Sequence, residues 1–500
     1  MPVLTAPAPD LTLVLDIGKT NAKLLMVDTQ GVLCEQHSRP NKSVTSELGY
    51  PALDLDGLRQ WVGHTLRGSA NAKDCGKVIA STHGAAFVGL SEDGLAWAPL
   101  DYEFDVRGMV RDAHDAQISA AFDEAYQLIR DPFSETLAPD LPVGLNAARQ
   151  LYWMQHRHPQ AWANTQTLLP YPQYWAWWLC GVRSSERSAL GCHTQLWCPQ
   201  AGEFSKMAKA QGWDALFAPC RYAWEVLGPL RPDLAQEWGL PQTCQVHVGV
   251  HDSNACLARY IELELPGQLE PTKALTVVSS GTWTILMAPN APVQDLHAEL
   301  DMLGNIDVLG RTTPTARFMG GREFDHLLGG AGPDDGSMAD LRQLIDAHTR
   351  ALPSFASDGG PFRDHRGQVL RGDPSATRIL IRSLSAGERS TLAALYCAQV
   401  TCWLVKRLWQ GAAASQSALF VEGPLAQNTL YMSILSALLP DHTCYASTDT
   451  LEGTARGAWQ LCHWQVTSAP KFLNLASACA VDGLREYHER WLIEIDHLTP

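Results

Sequence analysis

The segment Leu11–Asp28, LTLVLDIGKTNAKLLMVD, constrains the fold of this chain more than any other. Apolar runs on both sides of a polar centre predict two short strands joined by a tight turn. Gly18 lets a ligand approach the backbone of that turn, because glycine has no Cβ atom. The turn also holds a carboxylate, two polar side chains and two lysines: Asp16, Thr20, Asn21, Lys19 and Lys23. These groups suit phosphate oxygens and a hydrated Mg²⁺ ion, and an ordinary polar hairpin turn is the alternative.

Composition restricts the ligand class and the compartment. The chain has 500 residues, which predicts more than one domain. Its formal net charge of −15 disfavours nonspecific binding to nucleic acids or anionic membranes, so ATP would need a local positive site and a metal ion. The start, MPVLTAPAPD, does not have the pattern of a signal peptide, and no apolar window has the length of a membrane span. Thirteen scattered cysteines without paired CxxC modules favour reduced thiols in the cytoplasm and no structural zinc.

A second hairpin pattern follows a segment with the composition of a linker in the middle of the chain. Glu262–Pro271, ELELPGQLEP, is acidic and contains proline and glycine, and we place the domain boundary there. Ala274–Met287 then repeats the order of strand, small-residue turn and strand seen in the first hairpin. Two halves that each open with a phosphate-type turn suggest two related domains facing each other across a cleft. Coincidence between two amphipathic hairpins is the alternative.

Other patterns predict helices and strand ends that bear on function. Ser385–Trp409 is the clearest long helix, with a capping-box pattern at its start. Tyr171–Cys180 has the aromatic content of a buried helix face, with a base-stacking platform as the less favoured alternative. Predicted strands end at Thr82-His83-Gly84, at His251-Asp252 and at Glu422-Gly423-Pro424, the last before a helix from about Asn428. A strand that ends in a glycine turn before a helix is typical of a nucleotide-binding junction. The GxxxxGK[ST] and GxGxxG motifs are absent from the sequence.

Taken in order, these segments resemble the motifs of the FGGY carbohydrate kinases, which belong to the actin/hexokinase/Hsp70-type ATPase superfamily. DIGKTN at Asp16–Asn21 is similar to the first phosphate motif, D-x-G-T-T-S in the family, with Lys19 and Asn21 as departures. The other similarities cover most of the chain: Thr82-His83-Gly84 resembles a sugar-contacting loop, and Gly181–Ser188 resembles L-T-G-x-x-x-x-E-x-S. Gly249–Asp252 resembles G-x-H-D, and Ser279–Trp283 resembles the second phosphate motif. Glu422-Gly423-Pro424 and Asn428 resemble the adenosine motif, and Glu452–Ala458 resembles G-T-A-x-G-A.

The resemblance implies an α/β fold of two ribonuclease-H-like (actin-like ATPase) domains that face each other across a catalytic cleft. It implies an N-terminal sugar-binding domain at residues 1–262, a C-terminal nucleotide-binding domain at 272–470 and a tail at 471–500 that packs on the domains. The implied reaction transfers the γ-phosphoryl group of Mg-ATP to a primary hydroxyl of a ketose. Ser279–Trp283 and Thr194–Leu196 lean toward the rhamnulokinase and fuculokinase branches, and a pentulose is the other substrate class.

The resemblance also implies roles for individual residues. Asp252 would be the general base and Asp16 the Mg²⁺ ligand. The nucleotide would contact Gly18, Lys19, Thr20, Asn21, Lys23, Ser280, Gly281, Thr282, Gly423, Pro424 and Asn428. The sugar would contact Thr82, His83, Gly84, Asp101, Glu103 and His251. The expected partners are a small sugar and ATP, without nucleic acid or membrane, and a homodimer stays open.

Simpler explanations exist for single residues. Asp252 alone could cap a helix, lone histidines are more often structural than ligands, and Thr20 or Thr282 could cap turns. Two other functions compete with the kinase. A catalytically silent sugar or nucleotide sensor of the same fold is disfavoured by the intact Asp16 and Asp252. A metal hydrolase is disfavoured because no His residues have ligand spacing.

Overall fold

The computed structural model of the chain describes residues 11–105, 113–261, 274–356, 359–373, 375–410, 417–449, 451–464 and 472–498. The predicted boundary segment Glu262–Pro271 and the start of the chain lie outside these residues. By its internal contacts the chain divides into two compact units. The first contains Met1–Glu262, Gly304–Thr312 and Thr454–Ser468, and the second contains Leu263–Leu303, Thr313–Gly453 and Ala469–Pro500. The domains expected from the sequence are continuous segments of the chain. In the structure, Gly304–Thr312 and Thr454–Ser468 from the second half of the chain also belong to the first unit.

The part of the chain before residue 262 contains these elements. The strands are β1 (Leu11–Ile17), β2 (Asn21–Val27), β3 (Leu33–Pro40), β4 (Ser43–Thr45), β5 (Pro51–Leu53), β6 (Cys75–Thr82), β7 (Phe87–Leu90), β8 (Leu95–Trp97), β9 (Thr167–Pro170), β10 (Ser185–Glu186), β11 (Trp197–Cys198), β12 (Glu203–Phe204), β13 (Cys220–Arg221), β14 (Val226–Pro229), β15 (Gln245–His247) and β16 (Val250–His251). The helices are α1 (Leu55–Gly68), α2 (Ala113–Ile129), α3 (Phe133–Thr136), α4 (Ala147–Arg157), α5 (Pro159–Ala163), α6 (Tyr171–Cys180), α7 (Arg187–Leu190), α8 (Lys206–Ala210), α9 (Pro232–Trp238) and α10 (Asp252–Ile261).

The part after residue 273 continues the same numbering. The strands are β17 (Leu275–Ser280), β18 (Thr284–Met287), β19 (Leu303–Ile306), β20 (Thr312–Phe318), β21 (Arg350–Leu352), β22 (Gln368–Arg371), β23 (Thr377–Ile379), β24 (Ser417–Glu422), β25 (His442–Ser447) and β26 (Leu473–Leu475). The helices are α11 (Gly320–Leu328), α12 (Met338–Asp346), α13 (Ala386–Trp409), α14 (Pro424–Gln427), α15 (Thr429–Leu438), α16 (Gly453–Leu461) and α17 (Leu484–Asp496).

The main sheet of the first unit has the strand order β14-β15-β6-β1-β2-β3. β1 and β2 form the predicted antiparallel hairpin, and β1 also pairs with β6 in parallel. Every residue of β1 is buried, as expected for a strand in the centre of a sheet. The predicted aromatic segment Tyr171–Cys180 is helix α6, and Tyr171, Tyr174 and Trp175 are buried in the core beside this sheet. The prediction of a buried helix face is therefore confirmed.

β15 and β16 both pair with β6, but a bulge separates them. Val246 lies opposite Val78, whereas Val250 lies opposite Ser81. The segment from Val246 to Val250 is therefore one residue longer than the segment of β6 that faces it. Gly249 lies in this bulge with a φ of +87°, and a Cβ atom there would be 2.8 Å from the carbonyl oxygen of Ala80. Only glycine tolerates both conditions, so the sequence at this position is set by the shape of the sheet edge.

The second unit contains a sheet in which the strands follow the order β20-β18-β17-β24-β25-β26. β17 and β18 form the second predicted hairpin, and β17 pairs in parallel with β24 on its other side. Each unit therefore has a hairpin whose first strand also has a parallel neighbour. Helix α13 begins with the predicted capping box, in which the Glu388 backbone N–H donates to Ser385 Oγ at 3.1 Å and the Ser385 N–H donates to Glu388 Oε2 at 2.8 Å. Among the described residues, no helix combines the length and apolar character needed to cross a membrane.

Helix α17 packs within the second unit. Trp491 is fully buried and donates from Nε1 to the carbonyl of Ala351 at 2.8 Å, and Tyr487 donates to the carbonyl of Thr349 at 2.7 Å. Glu494 on the same helix pairs with Arg350. The end of the described chain is thus tied to β21 by apolar burial, hydrogen bonds and an ion pair.

Replacing Trp491 by Ala should destabilise the protein by about 3–5 kcal/mol, because a large buried side chain is lost and a cavity is left behind. Urea denaturation followed by circular dichroism measures the change. Ile493→Ala on the same helix is the control, since Ile493 is 65% exposed, and it should change stability by less than about 0.5 kcal/mol. Equal effects of the two substitutions would contradict the docking of α17 described here.

Candidate active site

The carboxyl ends of three parallel strands meet at one edge of the first unit's sheet. Asp16 and Ile17 at the end of β1 lie opposite Ser81 and Thr82 of β6. His251 at the end of β16 also lies opposite Thr82, on the other side of β6. Ligands of open α/β sheets bind outside the carboxyl ends of the strands. The structure thus brings together the predicted metal ligand, the start of the predicted sugar loop and, directly after His251, the predicted base.

The tip of the first hairpin is held by backbone hydrogen bonds and by an asparagine that sequence reasoning missed. The Gly18 N–H donates to the carbonyl of Asn21 at 3.0 Å and closes the turn. Asn41 donates from its backbone N–H to the carbonyl of Thr20 at 2.7 Å and from its side chain to the carbonyl of Gly18 at 2.6 Å. Thr20 and Asn21 themselves are exposed, so their side chains are accessible to a ligand. Asn41 gives no local signal in the sequence, because its partners lie on another turn.

The side chain of Lys19 contacts the loop that follows β8. Its ammonium group forms a salt bridge with Asp101 and lies 3.4 Å from the carboxylate of Glu103. Asp101 is only 3% exposed and also accepts hydrogen bonds from the Ser43 hydroxyl and the Glu103 N–H. Burial acts to raise the pKa of Asp101, but the hydrogen bonds from Lys19 and Ser43 outweigh it and hold the pKa below its usual value. A predicted phosphate ligand and two predicted sugar ligands thus form one ionic cluster.

His83 presents a single hydrogen-bond acceptor at this edge. Its Nδ1 atom is 2.8 Å from the carbonyl oxygen of Gly84, so Nδ1 carries the proton and Nε2 keeps a lone pair. Burial lowers the pKa of His83, which favours the neutral ring. The rings of Tyr102 and Tyr171 lie with their centroids 5.2 and 5.1 Å from that of His83 and restrict its orientation. A fixed, neutral acceptor of this kind suits the hydroxyl group of a sugar.

A cavity of about 250 Å³ opens beside these groups in the first unit. Its wall consists of Lys19, Thr20, Asn41, Lys42, Ser43, Leu53, Asp54, Leu58, His83, Glu103 and Tyr171. Of the predicted sugar contacts, His83 and Glu103 belong to this wall, while Thr82, Gly84, Asp101 and His251 lie outside it. Polar groups of both signs around a small volume suit a polyhydroxylated ligand.

Asp16 fits the expected mode of Mg²⁺ binding. Mg²⁺ usually keeps several waters and binds through one or two carboxylates and the phosphates of a substrate. Asp16 is 8% exposed and stands at the end of β1, next to the exposed Thr20 and Asn21. Within the described residues, no group of three or more His, Cys, Asp or Glu side chains is arranged to hold a metal ion. One carboxylate beside a phosphate-type turn matches a metal that arrives with a nucleotide.

The second unit contains a larger cavity, of about 690 Å³, at the end of the β17–β18 hairpin. It brings together the predicted residues Ser280, Gly281, Thr282, Pro424 and Asn428. The remainder of its wall is Gly321, Arg322, Phe324, Asp325, Leu328, Pro333, Asp334, Leu425 and Gln427, which sequence reasoning missed. Two of these residues lie in Gly320-Gly321-Arg322, which opens helix α11 shortly after strand β20. This order of strand, glycines and helix was a signal in the sequence that could have identified them. Small residues, one arginine and an apolar side suit a nucleotide.

Two turns of this cavity are joined through one hydroxyl group. Ser280 donates from Oγ to the carbonyl of Glu422 and accepts from the Leu425 N–H at 3.0 Å. Gly423 has a φ of +79°, and a Cβ atom there would overlap the carbonyl oxygen of Ser280. Asn428 caps α15 by accepting from the Tyr431 N–H at 2.8 Å, which confirms the predicted helix start. The cavity is therefore framed by backbone groups in fixed positions.

Comparisons with known proteins agree with this architecture. Residues 11–258 match the N-terminal domain of the FGGY family of carbohydrate kinases, and residues 272–470 match the C-terminal domain of carbohydrate kinase FGGY. The structure of a carbohydrate kinase from Novosphingobium aromaticivorans is 32% identical in sequence and similar at a TM-score of 0.84, over 98% of this chain and 99% of that one. A ligand-bound xylulose kinase from Lactobacillus acidophilus, 11% identical, is similar in fold at a TM-score of 0.70 over 98% of each chain.

Among curated relatives, L-fuculokinase of Escherichia coli (strain K12) is 26% identical over 298 residues. The match spans 57% of this chain and 57% of that enzyme. The fold defines a two-domain α/β protein of the actin-like ATPase type. The chain belongs to the FGGY family of carbohydrate kinases, and its enzyme class is that of the phosphotransferases. The family and the fold class expected from the sequence are confirmed.

Replacing Lys19 by Met should destabilise the first unit, because the buried Asp101 would lose its cation. We expect a loss of about 3 kcal/mol near neutral pH. The native pKa of Asp101 is lowered, so its stabilising contribution is present above the unfolded-state pKa and is lost as the pH falls through the native one. The difference between variant and wild type should therefore shrink in acid, as measured by urea denaturation at neutral and acid pH.

Lys206→Met is the matched control for this experiment. It removes an ion pair with Glu135 in which the Lys206 side chain is 76% exposed, so the loss of stability should be much smaller than in Lys19→Met. A pH-independent loss in Lys19→Met, or a loss as small as that of the control, would argue against a structural ion pair at Asp101.

Proposed function

We propose that this protein is an ATP-dependent sugar kinase that transfers the γ-phosphoryl group of Mg-ATP to a primary hydroxyl of a ketose. The observation that supports this most is the register of β1, β6 and β16, which puts Asp16, Thr82 and His251-Asp252 at one sheet edge. The Asp252 side chain is 30% exposed there, so a substrate hydroxyl can reach it. Because the chain belongs to the FGGY family of carbohydrate kinases, phosphoryl transfer to a carbohydrate is the reaction that we assign to the residues at this sheet edge.

Asp252 is the general base in this proposal. Its carboxylate accepts the proton of the attacking hydroxyl as the bond to phosphorus forms. The 250 Å³ cavity of the first unit orients the sugar. His83 accepts from one hydroxyl through Nε2, while Glu103 and the Lys19–Asp101 pair offer an acceptor and a donor to others. Lys19 thus acts on the sugar side, in addition to any contact that it makes with phosphate.

The nucleotide occupies the 690 Å³ cavity of the second unit. The turn at Ser280, Gly281 and Thr282 surrounds the phosphates, and Gly423, Pro424 and Asn428 border the nucleoside. On the first unit, Gly18, Thr20, Asn21 and Lys23 supply further contacts to the phosphates. Asp16 would hold Mg²⁺, which neutralises charge on the transferred group when it is bound. Transfer requires that both ligands meet in a space from which water is excluded.

L-fuculose-type and L-rhamnulose-type ketoses are the first substrates to test, followed by pentuloses. The similarity to L-fuculokinase and the segments Ser279–Trp283 and Thr194–Leu196 favour the 6-deoxyketohexoses. A coupled assay of ADP release across these sugars decides among them, and sugar binding without ADP release would instead indicate a silent sensor. We place the reaction in the cytoplasm, because it uses ATP and because the cysteines of the chain are free thiols.

Asp252→Asn should lower kcat by at least about a hundredfold, because an amide cannot accept the proton. ADP release with Mg-ATP and the best sugar measures the effect, and the KM values should change little. Asp93→Asn, an exposed carboxylate in the turn after β7, is the control and should retain full activity. Wild-type turnover in Asp252→Asn would reject this residue as the base.

Gly423→Ala should weaken ATP and ADP binding by at least about tenfold, because the new Cβ displaces the Ser280 turn and the left-handed backbone is strained. Isothermal titration calorimetry with ADP measures the affinity. Gly483→Ala is the control, since its φ of +78° is nearly the same but its Cβ would meet only a side chain, at 3.4 Å. Unchanged ADP affinity in a folded Gly423→Ala variant would place the nucleotide elsewhere.

A further inference from the structure

The two carboxylate oxygens of Asp252 have different surroundings. Oδ1 accepts from the backbone N–H of Ser253 at 2.6 Å and from the Ser253 hydroxyl at 3.2 Å. The Nε2 atom of His251 also lies 3.2 Å from Oδ1. Within the described part of the chain, no donor is recorded on Oδ2. One oxygen is therefore saturated by the protein, and the other is left for a substrate.

The hydrogen-bond pattern around His251 determines which ring nitrogen carries the proton. The side-chain amide nitrogen of Asn254 can only donate, and it lies 3.4 Å from Nδ1, so Nδ1 keeps its lone pair and a neutral ring carries its proton on Nε2. Asp252 Oδ1 lies 3.2 Å and the Cys192 sulfur 3.3 Å from Nε2, and both can receive this proton. The side chains of His251 and Asn254 are buried, and burial lowers the pKa of His251, so the neutral ring holds one proton.

The surrounding structure fixes the position of the His251 ring. A Cβ atom on Gly84 would lie 2.9 Å from Nε2, so glycine at that position leaves room for the ring. The Cys192 sulfur lies 3.3 Å from the same nitrogen, and backbone pairing with Thr82 holds the residue from the other side. His251 is also not part of the wall of the 250 Å³ cavity. The ring thus contacts the base and the core of the first unit.

We propose that His251, oriented by Asn254, is a positioning residue that holds Oδ1 of Asp252 and directs Oδ2 toward the substrate hydroxyl. This inference rests on the proposed kinase function and replaces the direct sugar contact expected for His251 from the sequence. Its physical basis is that a base held in one orientation needs no reorganisation when the hydroxyl arrives, and small misplacements of reacting groups are costly. Oδ1 is the anchored oxygen, and Oδ2 takes the proton.

Two substitutions at His251 test the proposal through steady-state kinetics. His251→Leu removes the donor and should lower kcat about 10- to 100-fold, while the KM for the sugar stays within about threefold. His251→Gln places an amide N–H close to the position of Nε2 and should restore most of kcat. His247→Leu is the control, because His247 is also buried, on the neighbouring strand β15, and donates to the carbonyl of Trp224. Its kcat should equal that of the wild type.

A spectroscopic measurement tests the tautomer independently of activity. The ¹⁵N chemical shifts of the His251 ring, assigned by comparison with His251→Gln, should show a proton on Nε2 in the wild type. Asn254→Leu removes the donor to Nδ1 and should reduce the fraction of that tautomer together with kcat. A proton on Nδ1 in the wild type would overturn the proposal, and it can be read even if His251→Leu does not fold.

The kinetic outcomes separate this inference from the kinase function itself. A raised sugar KM with unchanged kcat in His251→Leu would make His251 a sugar ligand and overturn the positioning role. A His251→Gln variant as slow as His251→Leu would do the same. In both cases Asp252→Asn would still be inactive, and the kinase function would stand. If the wild type releases no ADP with any sugar, the kinase function itself fails.

Discussion

Parallel hydrogen bonding along β6 is the constraint on which the proposed catalytic edge depends. β6 pairs with β1 on one side and with β15 and β16 on the other. Paired parallel strands end at the same edge of a sheet. Residues that are far apart in the sequence therefore lie close together at that edge. Asp16, Thr82 and His251 owe their proximity to this ladder rather than to their own side chains. The burial of β1 and β6 stabilises the ladder, so the position of the base is linked to the core of the first unit.

Much of the architecture was readable from the sequence, because it depends on local patterns. The two hairpins, the aromatic helix α6 and the capping box of α13 each follow from residues that are neighbours in the chain. The residues missed have distant partners. Asn41 donates to the carbonyl of Gly18, 23 residues earlier in the chain, and residue 321 is a glycine because a Cβ atom there would overlap the carbonyl oxygen of Gly281. The grouping of 304–312 and 454–468 with the first unit likewise depends on tertiary packing, which no local periodicity encodes.

Lys19 shows how a motif can match while the physical surroundings of one residue differ. Its position in the first turn led to an assignment to phosphate, since cations in such turns often bind anions. In the structure its nearest charges are carboxylates of the protein, one of which is buried. A buried carboxylate without a cation is costly, so that lysine has a structural reason to be present whatever ligand is bound. The spacing of a motif indicates which residues lie together, but tertiary partners decide what each of them does.

The bulge at Gly249 has a consequence for how this chain can vary in length. Between Val246 and Val250 this segment has one residue more than β6 has between Val78 and Ser81, so removing one residue would make the two equal without changing either register. His251 would then still lie opposite Thr82, in a continuous strand without the local bend. The sheet should therefore tolerate a shorter chain at this point, whereas a deletion inside β6 would reverse the alternation of its side chains relative to both neighbouring strands.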